Sequence, residues 1–330
     1  MTPSRPRSSA FAPATVANLA CGFDVLGLAL DQPGDTVTVE LADEPGLVIT
    51  EITGDQGRLS REEEKNTATV AARRILERDP NGASLGIRLE LRKGLPLASG
   101  MGSSAASAVA AALAVKDLLR LPLGHPELLA AALEGERVVA GAGHADNAAA
   151  CLYGGIVLVR STAPLDVVRL PLPSGLSVAL LRPHLELSTR ESRGLLGDQV
   201  SLKDAVRQWA NVGGLVSGLY SGDLDLVSRS LVDSVAEPIR SRHVPGFEDV
   251  KRAAIAAGAL GSSLSGSGPS IFALCRDLES AHAVSRKMAE AFAEAARLEW
   301  DLHVSKVSPR GARLILENAE RPKREEACGT

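Results

Sequence analysis

Residues 95–115 read LPLASGMGSSAASAVAAALAV. A turn dense in Gly and Ser runs into an almost pure alanine stretch whose first residues are Ser103 and Ser104. Gly100 and Gly102 can reach backbone angles closed to other residues. Consecutive backbone N–H groups in such a turn, aimed by the positive end of a helix, form an anion site. The alanines behind them let the helix press against a sheet. The run lacks the lysine of G-x-x-x-x-G-K-[ST], so this is not a Walker A turn. On the residues alone, phosphate binding and tight packing explain the stretch equally well.

At 330 residues the chain has room for two domains and a substantial core. It is 45% hydrophobic and 23% charged, the balance of an ordinary globular protein. A formal net charge of −4 and 3% aromatic residues give no footing for a nucleic-acid partner. An anion on the glycine turn must therefore be met by local donors. Cys21, Cys151, Cys275 and Cys328 are scattered with no C-x-x-C pair, which argues against a zinc site or a disulfide framework. Free buried thiols in a reducing cytosol are the expectation. The N-terminal MTPSRPRSSAFAPA has no long apolar run. Ala105–Val115, closed by Lys116 and Asp117, is far short of the ~20 residues that span a bilayer. The expectation is a cytoplasmic protein with no membrane partner.

Strands are expected at Thr36–Leu41, Leu47–Thr53 and Leu85–Leu91, with a helix over Glu62–Arg78. The quoted turn then feeds a helix reaching about Leu119, and Pro126–Ala140 reads as the next one, with proline in its first turn. A short helix and a strand at Gly155–Val159 follow GAGHADN. Pro164, Pro171 and Pro173 suggest a crossing into a second domain. That half offers strands at Leu176–Leu181 and Ile271–Cys275, and helices over Leu202–Leu219, Leu224–Leu231, Glu248–Ala257 and Leu278–Ala296. A last strand pair is expected around His303–Val307 and Ala312–Leu316. Mixed elements without strict βαβ alternation point to an α+β class.

Three blocks carry a resemblance to a known family. L-P-L-A-S-G-M-G-S-S-A-A-S resembles the phosphate-binding signature of the GHMP kinases, PATVANLACGFDVLG (Pro13–Gly27) resembles their first motif, and GSSLSGSGPS (Gly261–Ser270) their third. Within the family, HADNAAA, LSTRESR and EPIRSR are similar to the homoserine kinases. The chain departs from that pattern at Ala20–Cys21 and at Ser192. The resemblance implies a two-domain α+β fold, with an N-terminal domain like ribosomal protein S5 domain 2 and a ferredoxin-like C-terminal domain. The division is expected as residues 1–165, 166–319 and a polar tail 320–330. It further implies ATP and L-homoserine as small-molecule substrates, Mg²⁺ with the nucleotide, and O-phospho-L-homoserine, on the way to threonine, as product. It allows a homodimer. A GHMP kinase for another small alcohol and a ligand sensor without turnover are the alternatives.

An amino-acid alcohol offers one carboxylate, one ammonium and one hydroxyl, and its site needs an arginine fork, acceptors and a polar neighbour. From spacing alone, Asn18 and Asp24 read as turn residues satisfying local backbone. The resemblance instead places them in the substrate site, Asp24 against the ammonium. It assigns Arg193 and Arg240 to the carboxylate, with Arg242 the alternative to Arg240, and adds Thr189 and His144 as substrate contacts. Ser104 and Glu136 are implied as Mg²⁺ ligands, a sparse oxygen set that suits an ion also held by phosphates. Asn147 falls where some relatives carry an aspartate base. An amide cannot take a proton, so the implied catalysis rests on positioning by Ser104, Glu136 and Asn147. The nucleotide would lie on Pro96, Leu97, Ala98, Ser99, Gly100, Met101, Gly102, Ser103 and Ser104, with Gly266 and Ser267 from the second turn. Asn66 and Lys93 are nearby candidates whose plain alternatives are a helix cap and a surface lysine.

Overall fold

A computed structural model describes residues 5–141, 143 and 145–315, without the side chains of residues 139, 140, 189 and 190. The first half runs β1 (Arg7–Ala17), β2 (Leu26–Ala42), β3 (Gly46–Thr53), α1 (Thr67–Leu76), β4 (Gly86–Arg92), α2 (Ser103–Leu118), α3 (His125–Ala140), α4 (Ala145–Tyr153), β5 (Ile156–Thr162) and β6 (Leu165–Leu170). The second runs β7 (Ser177–Pro183), α5 (Thr189–Gly194), α6 (Leu202–Ser221), α7 (Leu224–Ser230), α8 (Glu237–Arg240), α9 (Phe247–Ala256), β8 (Gly261–Leu264), β9 (Ile271–Cys275), α10 (Leu278–Ala295), β10 (Trp300–Lys306) and β11 (Arg313–Leu314).

Period-two patterning builds the first sheet. On β4, Ile87, Leu89 and Leu91 are buried while Arg88, Glu90 and Arg92 face water. Val37 and Val39 of β2 stand opposite Leu91 and Leu89, so the pairing register joins the two apolar faces. The order is β11-β1-β2-β4-β3, and the first part of β2 also pairs with β5, which carries β6. β3 and β4 are parallel, and the other pairs in this sheet are antiparallel.

The second sheet has the order β10-β7-β9-β8. Its strands and crossovers follow β-α-β-β-α-β, the ferredoxin-like arrangement. β7 is buried on both faces, which accounts for its unbroken apolar run. Val178 and Leu180 join the core of the first half, while Ala179 and Leu181 face Phe247, Val250, Met288 and Phe292 of α9 and α10. One hydrophobic core therefore runs through both halves.

Some boundaries differ from expectation. β1 precedes the strands anticipated, and β2 begins ten residues before Thr36 because it first pairs with β5 and then with β4. The helix expected from Glu62 starts at Thr67: Asn66 accepts from the Ala68 N–H and caps α1 after a separate 3₁₀ turn at Glu63–Lys65. Pro164 lies in the β5–β6 turn, so β6 completes the first sheet and the change of sheet falls between Leu170 and Ser177, beyond residue 165. The first residues of GSSLSGSGPS form strand β8. The last two strands are not a pair: β10 closes the second sheet against β7, while β11 returns to β1. The tail 320–330 and Cys328 lie outside the described residues. Cys21, Cys151 and Cys275 are free and buried, and burial pushes the Cys21 thiol up to about 12. Among the described residues, no helix is long and apolar enough to cross a membrane.

Helix α2 explains its own alanines. Ala105, Ala106, Ala108, Ala110, Ala111, Ala112 and Ala114 are all buried, because β1 and β2 lie on one side and α1, α3 and α4 on the others. A helix enclosed on every side has no polar face, and only small side chains let five neighbours approach it at once. Ala110→Leu should therefore overpack the site and cost on the order of 1–3 kcal/mol in urea unfolding. A variant as stable as the parent would mean that this face of α2 is loosely packed.

Candidate active site

The turn before α2 folds in the left-handed conformation at Ala98, Gly100 and Gly102 (φ 50°, 78° and 70°). Serine hydroxyls hold it from within. Ser99 Oγ donates to the Pro96 carbonyl at 2.9 Å and accepts from the Met101 N–H at 3.3 Å, while Ser103 Oγ donates to the Leu95 carbonyl at 3.2 Å. The first N–H groups of a helix have no intrahelical acceptor. Those at the start of α2 therefore converge where the 16-residue helix presents its positive end.

Glycine is required twice for space as well as φ. A Cβ on Gly100 would stand 2.4 Å from the Ser265 carbonyl oxygen, and one on Gly102 2.1 Å from Thr15 Oγ1. The second glycine-rich turn is docked on the first: Ser265 Oγ donates to the Gly100 carbonyl at 2.6 Å, and the Ser270 N–H to the Ser99 carbonyl at 3.3 Å. The N-terminal block joins both. The Thr15 N–H donates to the Met101 carbonyl at 3.0 Å, and the Gly266 N–H to the Ala17 carbonyl at 3.3 Å.

Residues 18–24 form a tight loop with Asn18, Leu19, Ala20 and Asp24 all at positive φ (72°, 44°, 59° and 61°). Three successive left-handed residues other than glycine are costly, and such strain is held only where surroundings over-determine it. Here the Asn18 amide spans the loop and the second turn. Its Oδ1 accepts from the Asp24 N–H at 3.1 Å, and its Nδ2 donates to the Gly266 carbonyl at 3.0 Å. Gln208 on α6 donates to the Cys21 carbonyl at 2.7 Å from the other side.

Charge gathers at the far end of this loop. Arg193 on α5 pairs with Asp24, and Arg240 on α8 donates to the carbonyls of Ser192 and Gly266, each at 3.3 Å. Both guanidinium groups lie over the Phe23 ring, at 5.7 and 5.2 Å. Burial lowers the Arg240 pKa, and the nearby Asp24 carboxylate works in the opposite direction. Asp233 fixes the approach to α8 by accepting from the N–H groups of Val235, Ala236 and Glu237. Arg242 is exposed, whereas Arg240 is buried.

One cleft contains both the turn and the charged cluster. Of the residues singled out from sequence, Asn18, Asp24, Asn66, Lys93, Leu97, Ala98, Ser99, Gly100, Gly102, Ser103, Ser104, Glu136, Asn147, Arg193, Arg240, Gly266 and Ser267 all line it. Pro96 and Met101 do not, and Met101 is buried in the core. His144 and the Thr189 side chain lie outside the described residues. Asn66 has both ends of its amide engaged, with the Ala68 N–H and the Ser60 carbonyl, as a helix cap would. Asn147 Oδ1 accepts from Thr15 Oγ1 at 2.6 Å. Glu136, on α3, is buried.

Sequence reasoning missed several residues. Leu59, Lys65, Thr67, Ala105 and Ser107 also line the cleft, as does Asp146 of the HADNAAA block. Lys65, paired with Glu62 at 2.8 Å, adds a cation to the wall, and its position just before Asn66 was the available signal. Gln208 acts through the Cys21 carbonyl and the Asp233 carboxylate, both distant in sequence, which no local pattern marks, whereas Asp233 holds N–H groups only two to four residues further on.

The donor set has the chemistry for Mg²⁺. Ser104 and Glu136 present side-chain oxygens to the same cleft as the glycine-rich turn, and Mg²⁺ takes one or two protein oxygens together with phosphates. Among the described residues, no group of three or more His, Cys, Asp or Glu side chains could hold a metal ion by itself.

Comparison with known proteins matches this architecture. The models for the GHMP kinases N terminal domain and the GHMP kinases C terminal domain match residues 66–155 and 215–294. The chain is 48% identical over 314 residues to a homoserine kinase of Chlorobium phaeobacteroides (strain BS1), covering 92% of this chain and 98% of that protein. It is 46% identical over 313 residues to a homoserine kinase of Chloroherpeton thalassium, with the same coverage of both. The crystal structure of homoserine kinase from Cytophaga hutchinsonii superposes with a TM-score of 0.90 at 49% identity, covering 96% of this chain and 99% of that one. With two glycine-rich turns docked on each other and relatives this similar along nearly its whole length, the chain belongs to the GHMP kinase family, among its homoserine kinases.

Proposed function

We propose that the protein transfers the γ-phosphoryl group of ATP to the side-chain hydroxyl of L-homoserine, giving ADP and O-phospho-L-homoserine. The carrying observation is that one cleft holds a glycine-rich turn at the start of α2 and, beside it, a carboxylate with two arginines. The turn suits the nucleotide phosphates, and the cluster matches the two charged ends of an amino acid. The direct test is ADP formation in a coupled assay with L-homoserine, mevalonate or galactose as acceptor. Turnover with L-homoserine alone is expected, and preference for another acceptor would reject the assignment.

Phosphoryl transfer is mainly positioning and charge neutralisation. In this reading the N–H groups of the first turn and of α2 cradle the phosphates, with Gly266 and Ser267 facing them. Arg193 and Arg240 take the substrate carboxylate and Asp24 its ammonium group. Asn147, held by Thr15, contacts the hydroxyl. A carboxamide is no proton acceptor, so the hydroxyl proton passes to phosphate or solvent. Ser104 and Glu136 would hold Mg²⁺, which when bound supplies neutralisation of charge on the phosphates.

Two substitutions separate these roles. Glu136→Gln keeps the shape of a buried side chain but removes its charge. Its kcat should fall by about 10²-fold or more at saturating Mg²⁺ with the KM for homoserine little changed, since charge neutralisation counts most in the transition state. A near-normal kcat would remove Glu136 from the site. Arg240→Lys replaces a planar fork by a point charge and should raise the KM for homoserine by about tenfold or more with the KM for ATP almost constant. The reverse pattern would place Arg240 on the nucleotide.

A further inference from the structure

A charge pair is buried directly beneath the phosphate turn. Asp35 lies within β2 and Lys93 just past the end of β4, with side chains 0% and 1% exposed. All three protons of the Lys93 ammonium have protein acceptors: the Asp35 carboxylate, the Ser103 carbonyl at 2.9 Å and Ser107 Oγ at 2.8 Å. Asp35 is equally occupied. Its Oδ1 accepts from the N–H groups of Gly94 and Leu95 at 3.0 and 3.1 Å, and its Oδ2 from Ser107 Oγ at 2.7 Å as well as from Lys93. Gly94 packs against the β2 backbone, where a Cβ would stand 2.1 Å from the Gly34 carbonyl oxygen, so its N–H reaches the carboxylate.

The topology of these bonds matters more than their number. Gly94 and Leu95 lead into the glycine turn, and Ser103 and Ser107 lead out of it on α2. One carboxylate in the sheet thus ties down both ends of residues 96–102. Removing two charges from water is costly, and a buried ion pair is weak evidence for stability, whereas fixing one arrangement is its best-attested use. The pair is also neutral overall, and its ammonium has no proton left for a phosphate oxygen.

We propose that Asp35, acting through Lys93 and Ser107, is the positioning residue of the phosphate turn. It sets the spacing between the turn and the start of α2, and Lys93 serves the nucleotide through this network without touching it. The proposal rests on the reading that the turn takes the phosphates of ATP.

The experiment compares Lys93→Met, Asp35→Asn, the double variant Asp35→Asn/Lys93→Met, and Ser107→Ala. For each, Tm, kcat, the KM values for both substrates and the affinity for a non-hydrolysable ATP analogue are measured. Each single change at the pair leaves a buried charge alone and should lower Tm, and the neutral double variant should recover most of that loss. If the network positions the turn, the double variant keeps a KM for ATP and an analogue dissociation constant raised by about tenfold, with the KM for homoserine within about twofold of the parent. Recovery of nucleotide affinity along with Tm would reduce the pair to a structural role and overturn the proposal. So would loss of nucleotide affinity in Lys93→Met without loss in Asp35→Asn, the sign of a direct lysine–phosphate contact. Ser107→Ala, which removes a hydroxyl but no charge, decides the matter should the double variant not fold. It should weaken the analogue by about threefold at nearly normal Tm, and unchanged affinity would overturn the proposal. Failure of the underlying reading shows separately, as a parent enzyme that forms no ADP on addition of L-homoserine.

Discussion

The structure depends on the contact between two glycine-rich turns that lie far apart in sequence. Gly100 presents its carbonyl to the Ser265 hydroxyl at a separation that leaves no room for a Cβ. That approach joins the first sheet and its helix α2 to the strands β8 and β9 of the second sheet, because Ser265–Ser270 is the turn between them. The shared core beneath has the same effect on a larger scale, with Val178 and Leu180 buried against the first half. The cleft is therefore a seam whose walls are set by backbone packing, not by mobile side chains. This is the rigid support that a reaction dominated by positioning needs.

Electrostatics follow from that seam. A chain with a formal charge of −4 offers no general attraction to a polyphosphate, so attraction must come from local dipoles and a few cations. The start of α2 supplies the dipoles. Lys93, the lysine nearest the turn in sequence, is neutralised by Asp35, and its ammonium protons are taken by protein acceptors. Its burial shows why a lysine close to a glycine turn in sequence is a poor guide to a phosphate ligand: the sheet beneath the turn claims it first.

Much of this was legible in the sequence, for identifiable reasons. The alanine run of α2 and the alternation on β4 are local patterns, and local patterns survive into the fold. The three glycine- and serine-rich blocks mark backbone conformations that few other residues can adopt, so they pointed directly at Gly100, Gly102 and Gly266. What stayed hidden depends on partners distant along the chain. Asp35 reads as one more polar residue in a turn before TVTVEL, yet its partners are 58 to 72 positions away. β1 was obscured because its residues are buried almost throughout and show no alternation. β11 was assigned to the wrong neighbour because proximity in sequence to β10 says nothing about which sheet edge lies open.

The charged end of the cleft bears on selectivity. Asp24 and Arg193 are paired with each other, both more than a third exposed. On the reading proposed above, an amino-acid substrate exchanges this pair for two new ones: its ammonium group replaces Arg193 at Asp24, and its carboxylate replaces Asp24 at Arg193. The number of ion pairs rises while no charge is left alone, so a zwitterion enters without stranding either residue. A hydroxy acid lacking an ammonium group would bind Arg193 but leave the Asp24 carboxylate unpaired and partly desolvated, and an uncharged sugar would satisfy neither. A charge that a ligand covers without pairing is penalised more heavily than a missing contact. On that reading the Asp24–Arg193 pair works by exclusion as much as by attraction, rejecting small alcohols that would fit the space but not the charges.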